Sequence, residues 1–199
     1  EGVRLIGSHP YLMGVAFVST IYEVIVTVLD YKMKSMASSI YDTNALMNFT
    51  SKFAMTQATI GMVFALFGTS FLMRKFGIRF CLVLFPIIAV CAVLNSWFYP
   101  VLGVLFISVA VLKASNYVLG NPTKEVLYIP TSKDVKFKVK SIIDGFGGKT
   151  TKSMGSMLNI VATALGMAPL FGVVGVWIFV ALGLGTRYNV LMKKKEIID

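Results

Sequence analysis

Long apolar runs alternate with short polar ones along this chain, and the apolar runs are too long and too uniform for helices of a soluble domain. A helix needs about 20 residues to cross a hydrocarbon core about 30 Å thick. Six stretches meet that need, at about 10–31, 49–73, 80–97, 101–120, 142–167 and 170–190. Polar punctuation separates them. Ser35 to Asn48 follows the first span, and a basic turn, Arg74 to Arg79 around Gly77, follows the second. The aromatic segment Asn95 to Pro100 reads as an interfacial turn after the third. Asn121-Pro122 is expected to stop the fourth, because proline disfavours helix in the residue before it. From Ser153 to Thr186 there is no charge over 34 residues. As one helix that run would be about 51 Å long, so a break at Met167-Ala168-Pro169 is expected. The fifth helix then has to begin before Lys149, and the count of six rests on that step. The expected fold is an all-α membrane protein with six transmembrane helices and a basic amphipathic cytoplasmic segment at 123–141.

Composition supports the pattern. Hydrophobic residues make up 56% of the 199 positions, charged residues only 14%, and the mean hydropathy is +0.77. Soluble chains carry about a quarter charged residues, so disorder, coiled coils and most soluble enzyme folds are excluded. The net charge is +10, from 19 Lys and Arg against 9 Asp and Glu. With a cytoplasmic N-terminus, the turn at 74–79, the stretch at 123–141 and Lys193-Lys194-Lys195 fall on one side, which the positive-inside rule places in the cytoplasm. The excess charge therefore answers either anionic lipid or an anionic substrate, and no nucleic-acid partner is expected. Cys81 and Cys91 lie in one apolar run, about 15 Å apart along a helix, too far to pair with each other. There is a single histidine, His9, no zinc pattern and no phosphate-binding loop; Gly145 to Thr151 only imitates one, with the wrong spacing and no preceding strand. Neither an enzyme nor a cofactor is expected. The chain starts at Glu1 rather than Met, which suggests a piece of a longer protein.

Ionisable groups inside a span are costly and mark function by default. On the first helix Thr20, Glu23, Thr27, Asp30 and Lys34 form one polar stripe at i, i+3, i+7, i+10 and i+14. Lipid cannot solvate such a stripe, so it faces a cavity or other helices; the bland alternative is a local Asp30–Lys34 pair near the interface. On the fourth helix Lys113, Asn116, Tyr117 and Gly120 share a face, with Lys113 either lining a cavity or snorkelling to the surface. On the fifth, Lys149, Lys152, Ser156, Asn159 and Thr163 repeat the same spacing. Lysines at the mouth and neutral hydrogen-bonding groups deeper suit an anion passage, while ordinary positive-inside lysines capping a packed helix would give the same pattern.

One segment carries more specific information. Asn121-Pro122-Thr123-Lys124-Glu125-Val126-Leu127-Tyr128-Ile129-Pro130, followed by Lys138 to Gly145 and Lys149 to Ser153, resembles the nucleotide transporter family of plastids and intracellular bacteria, the ATP/ADP translocases. The close match covers about 35 residues. A looser one runs from Leu29-Asp30-Tyr31-Lys32 to the end, in the order of the C-terminal six helices of a twelve-helix, major-facilitator-like bundle. The chain departs from the family pattern at Asn116 and at Gly120-Asn121. The resemblance implies nucleotide exchange, ATP for ADP or a related pair, by alternating access, in a bacterial inner membrane or, as the alternative, a plastid inner envelope. It implies that Lys124 and a carboxylate of the first helix, Asp30 or Glu23, belong to the substrate path. A substrate with several negative charges needs several cations, which Lys113, Lys149 and Lys152 can add, and Glu125 and Asn116 complete the expected substrate-binding set. It also implies a partner, either an N-terminal six-helix half or a second copy. Exchange is expected if the empty cavity is too strongly positive to reorient unloaded. A carrier of another phosphorylated anion and a non-transporting membrane module on the same half-fold are the alternatives.

Overall fold

The computed structural model describes residues 2–67, 69–195, 197 and 198. The described chain is helical almost throughout. After a short helix α1 (Gly2–Ser8) come α2 (Pro10–Ile40), α3 (Thr43–Phe67) and α4 (Thr69–Phe98). Then follow α5 (Leu102–Ser115), a π turn (Asn116–Gly120), α6 (Asn121–Leu127), α7 (Lys133–Ile142), a second π turn (Ile143–Gly147), α8 (Gly148–Leu165) and α9 (Ala168–Lys194). Four helices among the described residues are long and apolar enough to cross a membrane: Pro10–Ile40, Met73–Phe98, Leu102–Leu127 and Ala168–Lys194.

Helix α2 is the hub. It packs against α5, α8 and α9, and α4 closes the same core from the far side of α5 and α9. Leu12, Val15, Ile25, Leu29 and Met33 of α2 are buried, as are Val93 of α4, Leu105 and Leu112 of α5, and Leu170 and Trp177 of α9. Phe85 links the layers, lying 5.4 Å from the Tyr22 ring and edge-on to Trp177 at 5.1 Å. Such aromatic pairs add to burial through their ring quadrupoles. Helix α3 leans on α5 through Phe49 and Phe53, both edge-on to Phe106, and exposes Met55, Met62 and Leu66.

Three boundaries differ from the expected ones. The first helix does not end near Tyr31 but continues to Ile40, and α3 starts at Thr43. The polar residues Lys34, Ser35, Ser38 and Ser39 are thus helical, since polarity alone does not break a helix. Second, Asn121-Pro122 does not stop the fourth helix. The π turn precedes it, with the Asn121 N–H donating to Asn116 O, five residues back. That wider spacing starts a fresh turn in which Pro122 sits at the first positions, where a missing N–H costs no bond. Third, the basic segment expected at 123–141 divides between two helices: α6 ends at Leu127, and α7 leads through the second π turn into α8. The other breaks fall at glycines with positive φ, Gly77 (φ 78) within α4 and Gly166 (φ 70) between α8 and α9, a backbone shape that costs glycine little. Beyond α9, Ile198 docks on the 130–132 turn: its N–H donates to Pro130 O and its carbonyl accepts from Ser132 N–H.

Candidate functional site

Two polar cavities lie along α2. The larger, about 1030 Å³, is lined by Glu23, Thr27, Asp30 and Lys34 of α2, by Lys113, Asn116 and Tyr117, by Gln57 and Thr50 of α3, and by Lys152, Ser156 and Asn159 of α8. The smaller, about 460 Å³, is lined by Ser19, Thr20 and Glu23 of α2, by Asn116, Asn121, Lys124, Glu125 and Tyr128, and by Lys140 and Asp144. Glu23 and Asn116 belong to both. The α2 residues that line the two cavities run from Ser19 to Ser38, about 29 Å at 1.5 Å per residue, close to the thickness of a hydrocarbon core. Both π turns border the smaller cavity, placing Asn116 and Asp144 on its wall; π turns are frequent at functional sites.

The charges are paired across helices. Asp30 accepts from two lysines, with Oδ2 2.7 Å from Lys34 Nζ and Oδ1 2.5 Å from Lys113 Nζ. The Lys113 ammonium also lies over the Phe53 ring, 5.1 Å from its centroid, where the ring face attracts a cation. Lys152 Nζ is 3.9 Å from Glu23 Oε2. Glu125, half exposed, accepts from Lys140 and lies 3.5 Å from Lys136, which joins α6 to α7 across the intervening turn. That carboxylate raises the Lys140 pKa above the ordinary lysine value, because it favours the charged ammonium. Lys124 is half-buried, within the field of Glu23 and Asp144, and makes no direct ion pair among the described residues. The Asn116 side-chain oxygen is buried without a hydrogen-bond partner.

A family model described as TLC ATP/ADP transporter matches residues 1–188. The chain belongs to the TLC ATP/ADP transporter family. This TLC chain is an integral membrane protein of a family of transporters, not of enzymes. It is 25% identical over 231 residues to ADP,ATP carrier protein 1 of Rickettsia prowazekii (strain Madrid E), an overlap that covers 98% of the chain and 46% of that protein. It is 24% identical over 224 residues to ADP,ATP carrier protein 3 of Rickettsia bellii (strain RML369-C), covering 97% of the chain and 44% of the relative. A shorter overlap of 95 residues, 32% identical, joins it to the chloroplastic ADP,ATP carrier protein 2 of Arabidopsis thaliana, covering 43% of the chain and 15% of that protein. The chain spans about half the length of the Rickettsia relatives it matches. No solved structure matches it.

The TLC chain brings together most residues singled out by the sequence. All five members of the α2 stripe line one cavity or the other, as do Lys113, Asn116, Lys152, Lys124 and Glu125. Lys149 does not: it is exposed at the start of α8 and lines neither cavity. A stripe at i, i+3 and i+7 drifts around the helix axis, and Lys149 stands at one edge of it, about 80° around α8 from Asn159 at 3.6 residues per turn. The Thr163 side chain lies outside the described residues. Nor is the lining as strongly positive as expected; the excess is a single charge. Across the two cavities five lysines (34, 113, 124, 140 and 152) face four carboxylates (Glu23, Asp30, Glu125 and Asp144). Gln57, the chain's only glutamine, and Lys140 escaped the sequence reading. A lone amide in an apolar helix was the available signal for Gln57, whereas only the tertiary pairing of α7 with Glu125 brings Lys140 in.

Proposed function

We propose that this chain is the C-terminal six-helix half of a twelve-helix, major-facilitator-like nucleotide exchanger, swapping ATP for ADP or a related pair in a bacterial inner membrane. The observation that carries the reading is the polar route along α2, flanked by lysines inside an otherwise apolar bundle. The names of the Rickettsia relatives, and the half-length overlap with them, support the same reading. On it, α3 and α8 complete the six spans, and the site lies between this half and a partner of similar size, as in transporters built from two repeats. The polyphosphate meets Lys113, Lys152 and Lys124 in a low-dielectric space, where charge-assisted hydrogen bonds are strong. Asn116 and Tyr117 offer an amide and a ring face to the rest of the nucleotide. Lys149 attracts it from outside the cavity.

The test is counterflow of labelled ATP in liposomes carrying the full-length protein. Labelled ATP should enter only when unlabelled nucleotide is present on the other side; equal flux without it refutes exchange. Replacing Lys124 by Gln should lower uptake at least about tenfold, the scale of one buried charge-assisted contact, while Lys195→Gln changes it less than about twofold. Equal losses would remove Lys124 from the site. Competition by other phosphorylated metabolites, stronger than by ADP, would reassign the substrate to another anion.

A further inference from the structure

The lysines of the larger cavity are all already engaged by carboxylates of its own wall: Lys34 and Lys113 by Asp30, and Lys152 by Glu23. Asp30 is the tightest of these groups. Its side chain is 17% exposed, and each carboxylate oxygen holds its own ammonium, one from α2 and one from α5. A phosphate group offers those lysines the same arrangement, two anionic oxygens on one centre, with more charge. Lys113 does not depend on Asp30 for its place, because the Phe53 ring also holds it.

We propose that Asp30 is an internal competitor of the substrate, its carboxylate occupying in the empty chain the lysines that a phosphate takes over in the loaded one. This rests on the nucleotide reading above and adds a specificity residue to it. An entering anion has to displace a carboxylate that is already at hand, so an anion with few charges gains little by the exchange of partners. A polyphosphate brings enough charge to win both lysines. The displaced carboxylate then stays beside the bound phosphate, a like charge that weakens binding and speeds release.

The experiment measures equilibrium binding of ATP and AMP to the purified full-length protein in detergent. Asp30→Asn should tighten ATP binding about tenfold, tighten AMP binding less, and slow exchange at saturating ATP because release slows. A residue that merely holds α2 against α5 would, when neutralised, weaken both ligands. Unchanged or weaker ATP binding by Asp30→Asn therefore overturns the proposal. Should that variant fail to fold, the charge-balanced pair Asp30→Asn with Lys113→Gln decides: it should bind ATP more tightly than Lys113→Gln alone, and binding no tighter refutes the competition. If Lys113→Gln and Lys124→Gln both leave ATP binding unchanged, the nucleotide reading itself falls and this proposal with it. If both weaken binding and Asp30→Asn does too, only the competitor role is lost.

Discussion

Replacing Gly155 with alanine probes the contact that holds the polar stripes of α2 and α8 face to face. Gly155 is buried where α8 crosses α2, one turn beyond Lys152, and Thr27 opposite it lies one turn beyond Glu23. A Cβ at residue 155 would stand 2.9 Å from Thr27 Cβ, 3.1 Å from its Cγ2 and 3.2 Å from Val24 O. Carbon atoms rest about 3.5–4.0 Å apart, so the helices have to separate by about 0.6 Å or more. Rotation of Thr27 brings no relief, because its nearest atom is Cβ itself, and its hydroxyl donates to Glu23 O at 2.5 Å. Overpacking of this kind costs about 1–3 kcal/mol, while alanine in place of glycine in a helix returns about 0.5–1 kcal/mol. The net is a loss of up to about 2.5 kcal/mol. Gly172, in α9, has nothing within 4 Å of its would-be Cβ, so Gly172→Ala keeps only the gain. Thermal unfolding of the two variants of the full-length protein in detergent should move in opposite directions. ATP uptake should fall for Gly155→Ala alone, as Glu23 and Lys152 part beyond 3.9 Å. Equal stability of the two variants would refute the close crossing of α2 and α8.

Trp177→Ala empties the centre of the α2–α4–α9 core, where the ring is fully buried against Phe85; the loss is about 3–5 kcal/mol, read as a lower unfolding temperature, and a fall no larger than that of an exposed α9 position such as Phe179→Ala would contradict the packing. The Glu125–Lys140 pair raises the Lys140 pKa, so its contribution is complete below the ordinary lysine pKa and fades as pH rises through the raised value. With Lys140 36% exposed, that contribution stays below about 1 kcal/mol. NMR of methylated lysines should show Lys140 titrating above the surface lysines, and Glu125→Gln should return it to them; a titration with the surface lysines before the substitution would show the pair absent in solution.

How much of the site was legible depends on whether its residues share a helix. The stripe Thr20, Glu23, Thr27, Asp30 and Lys34 could be read because helical periodicity alone puts these residues on one face, and a bilayer offers that face no other polar surroundings. The Asp30–Lys34 pair was also readable, being one turn apart. The partner that changes its meaning, Lys113, is 83 residues away, and no spacing rule reaches it. Lys149 is a different case. It stands at one edge of the α8 stripe, about 80° around the helix from Asn159, and local periodicity does not say which edge of a stripe the neighbouring helix leaves outside the cavity.

The sequence by itself determined that the chain is helical and membrane-embedded, where polar stripes run, and that lysines meet them, because a hydrocarbon core permits only satisfied backbones and sheltered charges. Only the tertiary structure decided that the helix continues through Pro122, that two cavities meet at Glu23 and Asn116, and that nearly every cavity lysine already has a carboxylate beside it. Those outcomes depend on which helices touch and at what rotation, and packing between distant segments, not local pattern, sets both.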